Sequence, residues 1–146
     1  QASVLLELSL IITEQVPEKF GRTISGLYKD DEGFPLIEKA TFSGFGSSTF
    51  REMLENRQTK QIVLAGIETP ICIYQTAMDA ISSGYLVTIL EDCVGARRER
   101  DANRCLTQLV HSGASVIPME TFLFEQLRSS NHPRFRDVSA LIRSRN

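Results

Sequence analysis

A chain of 146 residues, 42% hydrophobic and 23% charged, has the length and composition of one compact domain, which excludes the disordered and fibrous classes. A formal net charge of -2 gives no broad basic field for nucleic acid, and Arg97, Arg98, Arg100 and Arg104 read as a solvated helix face. No apolar run approaches the roughly 20 residues of a membrane span, and no signal-peptide pattern opens the chain, so a cytoplasmic protein without membrane or nucleic-acid partners is expected.

In chain order, "LLELS" reads as the end of a helix and "LIITE", Leu10 to Glu14, as a strand. Almost no residues remain for the reversal, whereas such connections usually take about 2–6, so residues are expected to be missing near Ser9 and Leu10. "LIEKA", Leu36 to Ala40, is a second strand, and Thr49 to Arg57 a helix with Thr49 and Glu52 in capping-box spacing. "QIVLAGIET", Gln61 to Thr69, is a continuous apolar run of the kind a strand buried on both faces requires.

A helix follows at once: Thr69 is placed to cap, Pro70 suits the first position, and Ile71, Tyr74, Gln75 and Met78 recur at helical spacing until Gly84. "YLVTILED", Tyr85 to Asp92, predicts another strand, Arg98 to Ser112 a helix closed by Gly113, and Ala114 to Pro118 a short strand. From Thr121 the tail is helical in pattern, interrupted by "SSNHP" and resuming from Arg134 to Arg143. Strands alternating with helices imply a three-layer α/β sandwich with a mainly parallel, doubly wound sheet, in a single domain over residues 1–146.

The cysteines Cys72, Cys93 and Cys105 are odd in number and form no C-x-x-C pair, which fits a reducing compartment and supports neither a disulfide framework nor zinc. His111 and His132 lie far apart and read as structural, so neither a metal nor a cofactor is expected. Cys72 falls at the carboxyl end of an apolar strand, where ligands of parallel sheets bind, and in the first turn of a helix, whose free N–H groups favour a thiolate. From position alone two readings stand side by side, a nucleophile and a small buried hydrophobe. Lys39 likewise either joins a site or simply reaches solvent.

The stretch "GIETPICIYQTAMDAISSGYLVTILEDCVGARRERD" resembles the signature of the isochorismatase-like cysteine hydrolases, and "IITEQVPEKFG", "KATFSGF", "SGASVIPMETFLFEQL" and "HPRF" extend the resemblance over nearly the whole chain. It implies Cys72 as nucleophile and Lys39 as its cationic partner, with an aspartate from a preceding first strand. It also implies a cis Ile67–Glu68 peptide that turns the N–H groups of Glu68 and Cys72 into an oxyanion hole, with Phe42, Ser43, Phe45 and Thr69 as candidate pocket residues. The aspartate has no counterpart here, so the first strand is expected before Gln1. Asp92 reads as a structural cap rather than a replacement.

Nicotinamidases of this superfamily hold a metal with histidines placed before the lysine, and residues 10–39 contain none. Isochorismatases proper lack the nucleophilic cysteine. What the resemblance leaves is hydrolysis of an amide-type C–N bond in a small molecule through a thioester-type intermediate, by a homo-oligomer. The rival reading, motivated by the missing aspartate and by Glu68 and Pro70 beside the cysteine, is a homo-oligomeric interaction protein that keeps the fold with weakened chemistry.

Overall fold

In the computed structural model, which describes residues 1–24, 26–27 and 33–144, the chain begins with α1 (Ala2–Leu5), β1 (Ile12–Gln15), α2 (Pro17–Phe20) and β2 (Leu36–Lys39). It continues through α3 (Ser48–Asn56), β3 (Gln61–Ile67), α4 (Tyr74–Ser82), β4 (Leu86–Gly95) and α5 (Glu99–His111), and ends with β5 (Ser115–Ile117), α6 (Met119–Leu127) and α7 (Phe135–Arg143). The strands pair in parallel as two sheets, β1–β2 and β3–β4–β5. The parallel α/β architecture is the one expected, with the pairing divided between two sheets.

Successive residues of a strand point to opposite faces, and β4 uses both. Val87 and Ile89 join Phe50, Leu54, Ala77, Ala80 and Leu109 in one apolar cluster, whereas Leu90 joins Phe122, Leu123, Leu127 and Val138 in another. The helices α3, α4 and α5 therefore cover one face and α6 and α7 the other, which gives the three layers. β4 is thus apolar toward both layers, with the buried Thr88 as the polar residue among Leu86–Leu90.

Several boundaries differ from the sequence reading. Helix α1 stops at Leu5, and Glu7 takes a positive φ of 53°, so residues 6–11 turn the chain and the connection near Ser9 and Leu10 has the length it needs. Helix α3 is capped by Ser47, whose hydroxyl accepts the Phe50 N–H, rather than by Thr49. Strand β4 runs three residues past Asp92 to Gly95, because the register shift between Leu64 and Gly66 on β3 lets Val94 and Gly95 pair with Gly66 and Ile67. Asp92 still acts as a cap: its Oδ1 accepts the Met119 N–H at 2.8 Å, at the start of α6.

The β1–β2 register places Glu14 opposite Glu38 and Gln15 opposite Lys39. The two pairs leave the ribbon on opposite faces, and each is held differently. Glu14 is buried, accepting the Thr23 N–H at 2.7 Å, and Arg22 bridges it to Glu38 at 3.3 and 3.0 Å. The Thr23 bond holds the Glu14 carboxyl below its ordinary pKa against the opposing effect of burial, with Arg22 adding to the depression.

A carboxyl lowered in the fold stabilises it above the ordinary carboxylate range and loses that contribution as the pH falls through the lowered value. Glu14→Gln should therefore flatten the acid limb of the stability curve and cost on the order of 1–3 kcal/mol at neutral pH, read by urea unfolding at pH 7 and pH 4. An unchanged acid limb would show that Glu14 plays no such part. Leu109 is fully buried on α5, so Leu109→Ala should lower the unfolding free energy by roughly 2–5 kcal/mol.

Candidate active site

The carboxyl ends of β1, β2 and β3 converge, and three side chains meet there. Lys39 closes β2 and is 9% exposed. Its Nζ donates to Gln15 Oε1 at 2.7 Å, to the Thr41 carbonyl at 3.0 Å and to the Phe42 carbonyl at 2.8 Å. An ammonium has three protons, and three neutral oxygens take them. Gln15 in turn donates through Nε2 to the Ala40 carbonyl at 2.6 Å, which fixes the amide so that Oε1 faces the lysine. That same oxygen lies 3.9 Å from Cys72 Sγ.

Cys72 sits in a π-helical turn, Thr69–Ile73, continuous with α4. The sequence reading expected an ordinary first α-helical turn capped by Thr69. Instead Glu68 occupies the cap position without a side-chain capping bond to the turn, and the buried Thr69 hydroxyl donates to the Gly95 carbonyl at 3.0 Å. The Ile67–Glu68 peptide is cis. The Glu68 carboxylate accepts the Arg97 N–H at 3.2 Å and faces the Arg97 guanidinium at 3.5 Å. Two bonds thus tie the cysteine turn to the far end of β4.

The segment after Lys39 is shaped by its own contacts. Ser43 is buried, and its hydroxyl accepts the Phe45 N–H at the start of a 3-10 turn, Gly44–Gly46. The Thr76 hydroxyl of α4 accepts the Gly44 N–H at 3.0 Å. Gly46 approaches Thr41 so closely that a Cβ on it would overlap the threonine side chain. Among the pocket candidates, Phe42 is half exposed and gives its carbonyl to Lys39. The Phe45 ring packs on Phe50 and Tyr85 at centroid distances of 5.4 and 5.8 Å, against the core beneath α3 and α4.

Burial pulls the Lys39 pKa below its ordinary value, while the Cys72 thiolate acts in the opposite direction. Burial pushes the Cys105 thiol up, with Asp101 adding to the rise. His111 bonds the Thr107 carbonyl within α5, and His132 accepts the Arg134 N–H, so both are occupied away from Cys72. Among the described residues no three His, Cys, Asp or Glu side chains gather as a metal site would require. Open clefts near Leu54 and Tyr85 and near Pro118 and Arg128 touch none of Gln15, Lys39 or Cys72. Gln15 is the member that the sequence reading missed; its place opposite Lys39 follows from a register across 24 residues, and no local pattern marks it.

A family model for the isochorismatase domain matches residues 12–121, from β1 into α6. The chain is similar to isochorismatase domain-containing protein 2 of Xenopus laevis, 34% identical over 97% of this chain and 68% of that protein. It is also similar to a secreted isochorismatase effector of Phytophthora sojae, 30% identical over 97% of this chain and 70% of that one. Among solved structures, a MAR1 ribonuclease from Caenorhabditis elegans superposes with a TM-score of 0.87 at 29% identity, covering 97% of this chain and 72% of the other. The match spans the strands and the turn that carry Gln15, Lys39 and Cys72, and the chain belongs to the isochorismatase domain family, with its α/β hydrolase architecture.

Proposed function

We propose that this chain is a cysteine hydrolase of small molecules that cleaves an amide-type C–N bond, with Cys72 as nucleophile and Lys39 as its cationic partner. The observation that carries the reading is the meeting of Lys39 Nζ and Cys72 Sγ on one oxygen, at 2.7 and 3.9 Å, at the carboxyl ends of parallel strands. A buried ammonium beside a thiol favours the thiolate, which is the reactive form.

In this reading the Cys72 thiolate adds to the carbonyl carbon of the substrate, and the N–H groups of Glu68 and Cys72 hold the oxygen that becomes negative. The C–N bond then breaks, the amine leaves with a proton, and water hydrolyses the thioester to release the acid and restore the thiol. Phe42 lies at the rim, where the substrate enters; Ser43 and Thr69 shape the site through the backbone they hold. The resemblance assigns proton transfer to an aspartate on a preceding strand, and Asp92 is engaged at the start of α6. Residues 1–146 act here as one hydrolase domain in a homo-oligomer. An odd number of cysteines without a C-x-x-C pair supports a cytoplasmic setting, and no helix among the described residues is long and apolar enough to cross a membrane.

The test is a panel of small primary and secondary amides incubated with wild-type chain and Cys72→Ala. Turnover with a Cys72 acyl adduct in intact-protein mass spectra, both absent in Cys72→Ala, is the expected result. Turnover that survives the alanine would sink the mechanism, and a folded oligomer without turnover on any amide would favour the interaction-protein reading. Ribonuclease activity, which the name of the nematode relative raises, is assayed in parallel on a structured RNA; cleavage there without amide turnover would replace the amide class.

Two thiol measurements probe the site directly. Iodoacetamide near neutral pH should alkylate Cys72 before Cys93 and Cys105, with Cys105 slowed by its raised pKa. Lys39→Met should slow the Cys72 reaction by roughly ten-fold or more, since it removes the nearby cation that favours the reactive form of the sulfur. An unchanged rate-against-pH profile would remove Lys39 from the site.

A further inference from the structure

We infer that Gln15 is a positioning residue whose side-chain oxygen holds Lys39 and faces the Cys72 sulfur, so that it restrains the reactivity of Cys72 until something displaces that oxygen. The catalytic meaning of this inference rests on the roles proposed for Cys72 and Lys39. Its physical content rests on the site alone.

The orientation of an amide side chain is set by its partners, and both partners of Gln15 agree. Nε2 faces the Ala40 carbonyl, which only accepts, and Oε1 faces the Lys39 ammonium, which only donates. The end presented to the sulfur is therefore the negative end of the amide dipole. A thiol S–H can donate to it, whereas a thiolate at 3.9 Å is repelled by it. Of the three acceptors around Lys39, two are backbone carbonyls fixed by the 41–42 segment, and Gln15 is the one on a side chain. When that oxygen turns away, one ammonium N–H becomes available to the sulfur; the thiol proton passes to solvent and the thiolate takes the N–H.

Other charges near the turn are engaged elsewhere. Glu14 points to the opposite face of β1 and is held by Thr23 and Arg22, Glu68 is paired with Arg97, and on α5, which packs against the turn, Asp101 faces Arg98. Lys39 is thus the charged group whose balance with Cys72 the Gln15 oxygen controls, since that one oxygen contacts both.

The test measures the alkylation rate of Cys72 against pH in otherwise wild-type chain, in which Cys93 and Cys105 are resolved by peptide mass. Gln15→Met keeps the length and removes the oxygen, so the profile should move to lower pH and the rate at pH 6.5 should rise about three- to ten-fold. Gln15→Glu puts a full negative charge at the same place, so the profile should move to higher pH and the rate should fall by about ten-fold or more. In a Lys39→Met background the Gln15→Met effect should shrink by at least half. Circular dichroism checks that each variant folds; where Gln15→Met does not, Gln15→Asn, which draws the oxygen back on a shorter stem, should give the same downward shift.

Shifts of the same sign in the Met and Glu variants, no shift in either, or a full Gln15 effect without Lys39 would each overturn the inference, because a merely structural role predicts no opposite signs. The readout uses no substrate. An amide panel without turnover beside opposite shifts would therefore discard the hydrolase reading alone, and Cys72-dependent turnover beside unmoved profiles would discard Gln15 alone.

Discussion

A buried ammonium must find in the protein what water gave it, and the lower part of this fold is arranged around that requirement. Leaving such an ion without partners costs several kcal/mol, and Lys39 avoids that cost through one amide and two main-chain carbonyls. Those carbonyls can point at Nζ only if the chain curls back immediately after β2. The Gly44–Gly46 turn, the Ser43 hydroxyl at its start, the absence of a side chain at Gly46 and the Gly44–Thr76 bond together make that curl. Because Thr76 belongs to α4, the lysine's cradle and the cysteine's helix are parts of one assembly.

The turn that carries Cys72 is held from the other side. Thr69 reaches the carbonyl of Gly95, the last of the extra residues that β4 contributes beyond Asp92, and Glu68 reaches Arg97, two residues past the strand. Those residues pair with β3 because of the register shift at Leu64 and Gly66. An irregularity in the sheet thus becomes a lever on the site, as irregular pairing next to active sites often does. Apolar packing of β4 into both layers supplies the rigidity, and polar bonds at its carboxyl end direct the turn.

What the sequence disclosed was periodic, and what it concealed was tertiary. The apolar run at Gln61, the helix ended near Gly84, the helix closed by Gly113 and the interrupted helical tail were all legible, because burial imposes periods of 2 and 3.6 on the residues themselves. The cap at Ser47 was missed since Thr49 offers the same chemistry two residues on, and the choice depends on where α3 meets the core. The π-helical form of the cysteine turn has no composition signal, and Thr69 looked like a cap because its bond to Gly95 spans 26 residues. Phe45 looked like a pocket residue by its place beside Lys39, and its ring packs on Phe50 and Tyr85. Gln15 lies one residue past the strand read at Leu10 to Glu14, and no local pattern marks it.

The β1–β2 ribbon also explains how two buried ionisable groups one residue out of step avoid cancelling one another. Glu14 and Lys39 are both buried and of opposite charge, and a direct ion pair between them would leave Lys39 no charge to offer the sulfur. Alternation along the strand sends them to opposite faces. On one face two glutamates share Arg22 and the Thr23 N–H, so that side is satisfied within itself. On the other face Lys39 meets only neutral oxygens in its hydrogen bonds. A cation satisfied by neutral groups keeps its field, and the thiol that shares its glutamine stands beside it. A one-residue slip of β1 against β2 would bring Glu14 to the lysine's side. The register that specifies the fold therefore also specifies the electrostatics of the site.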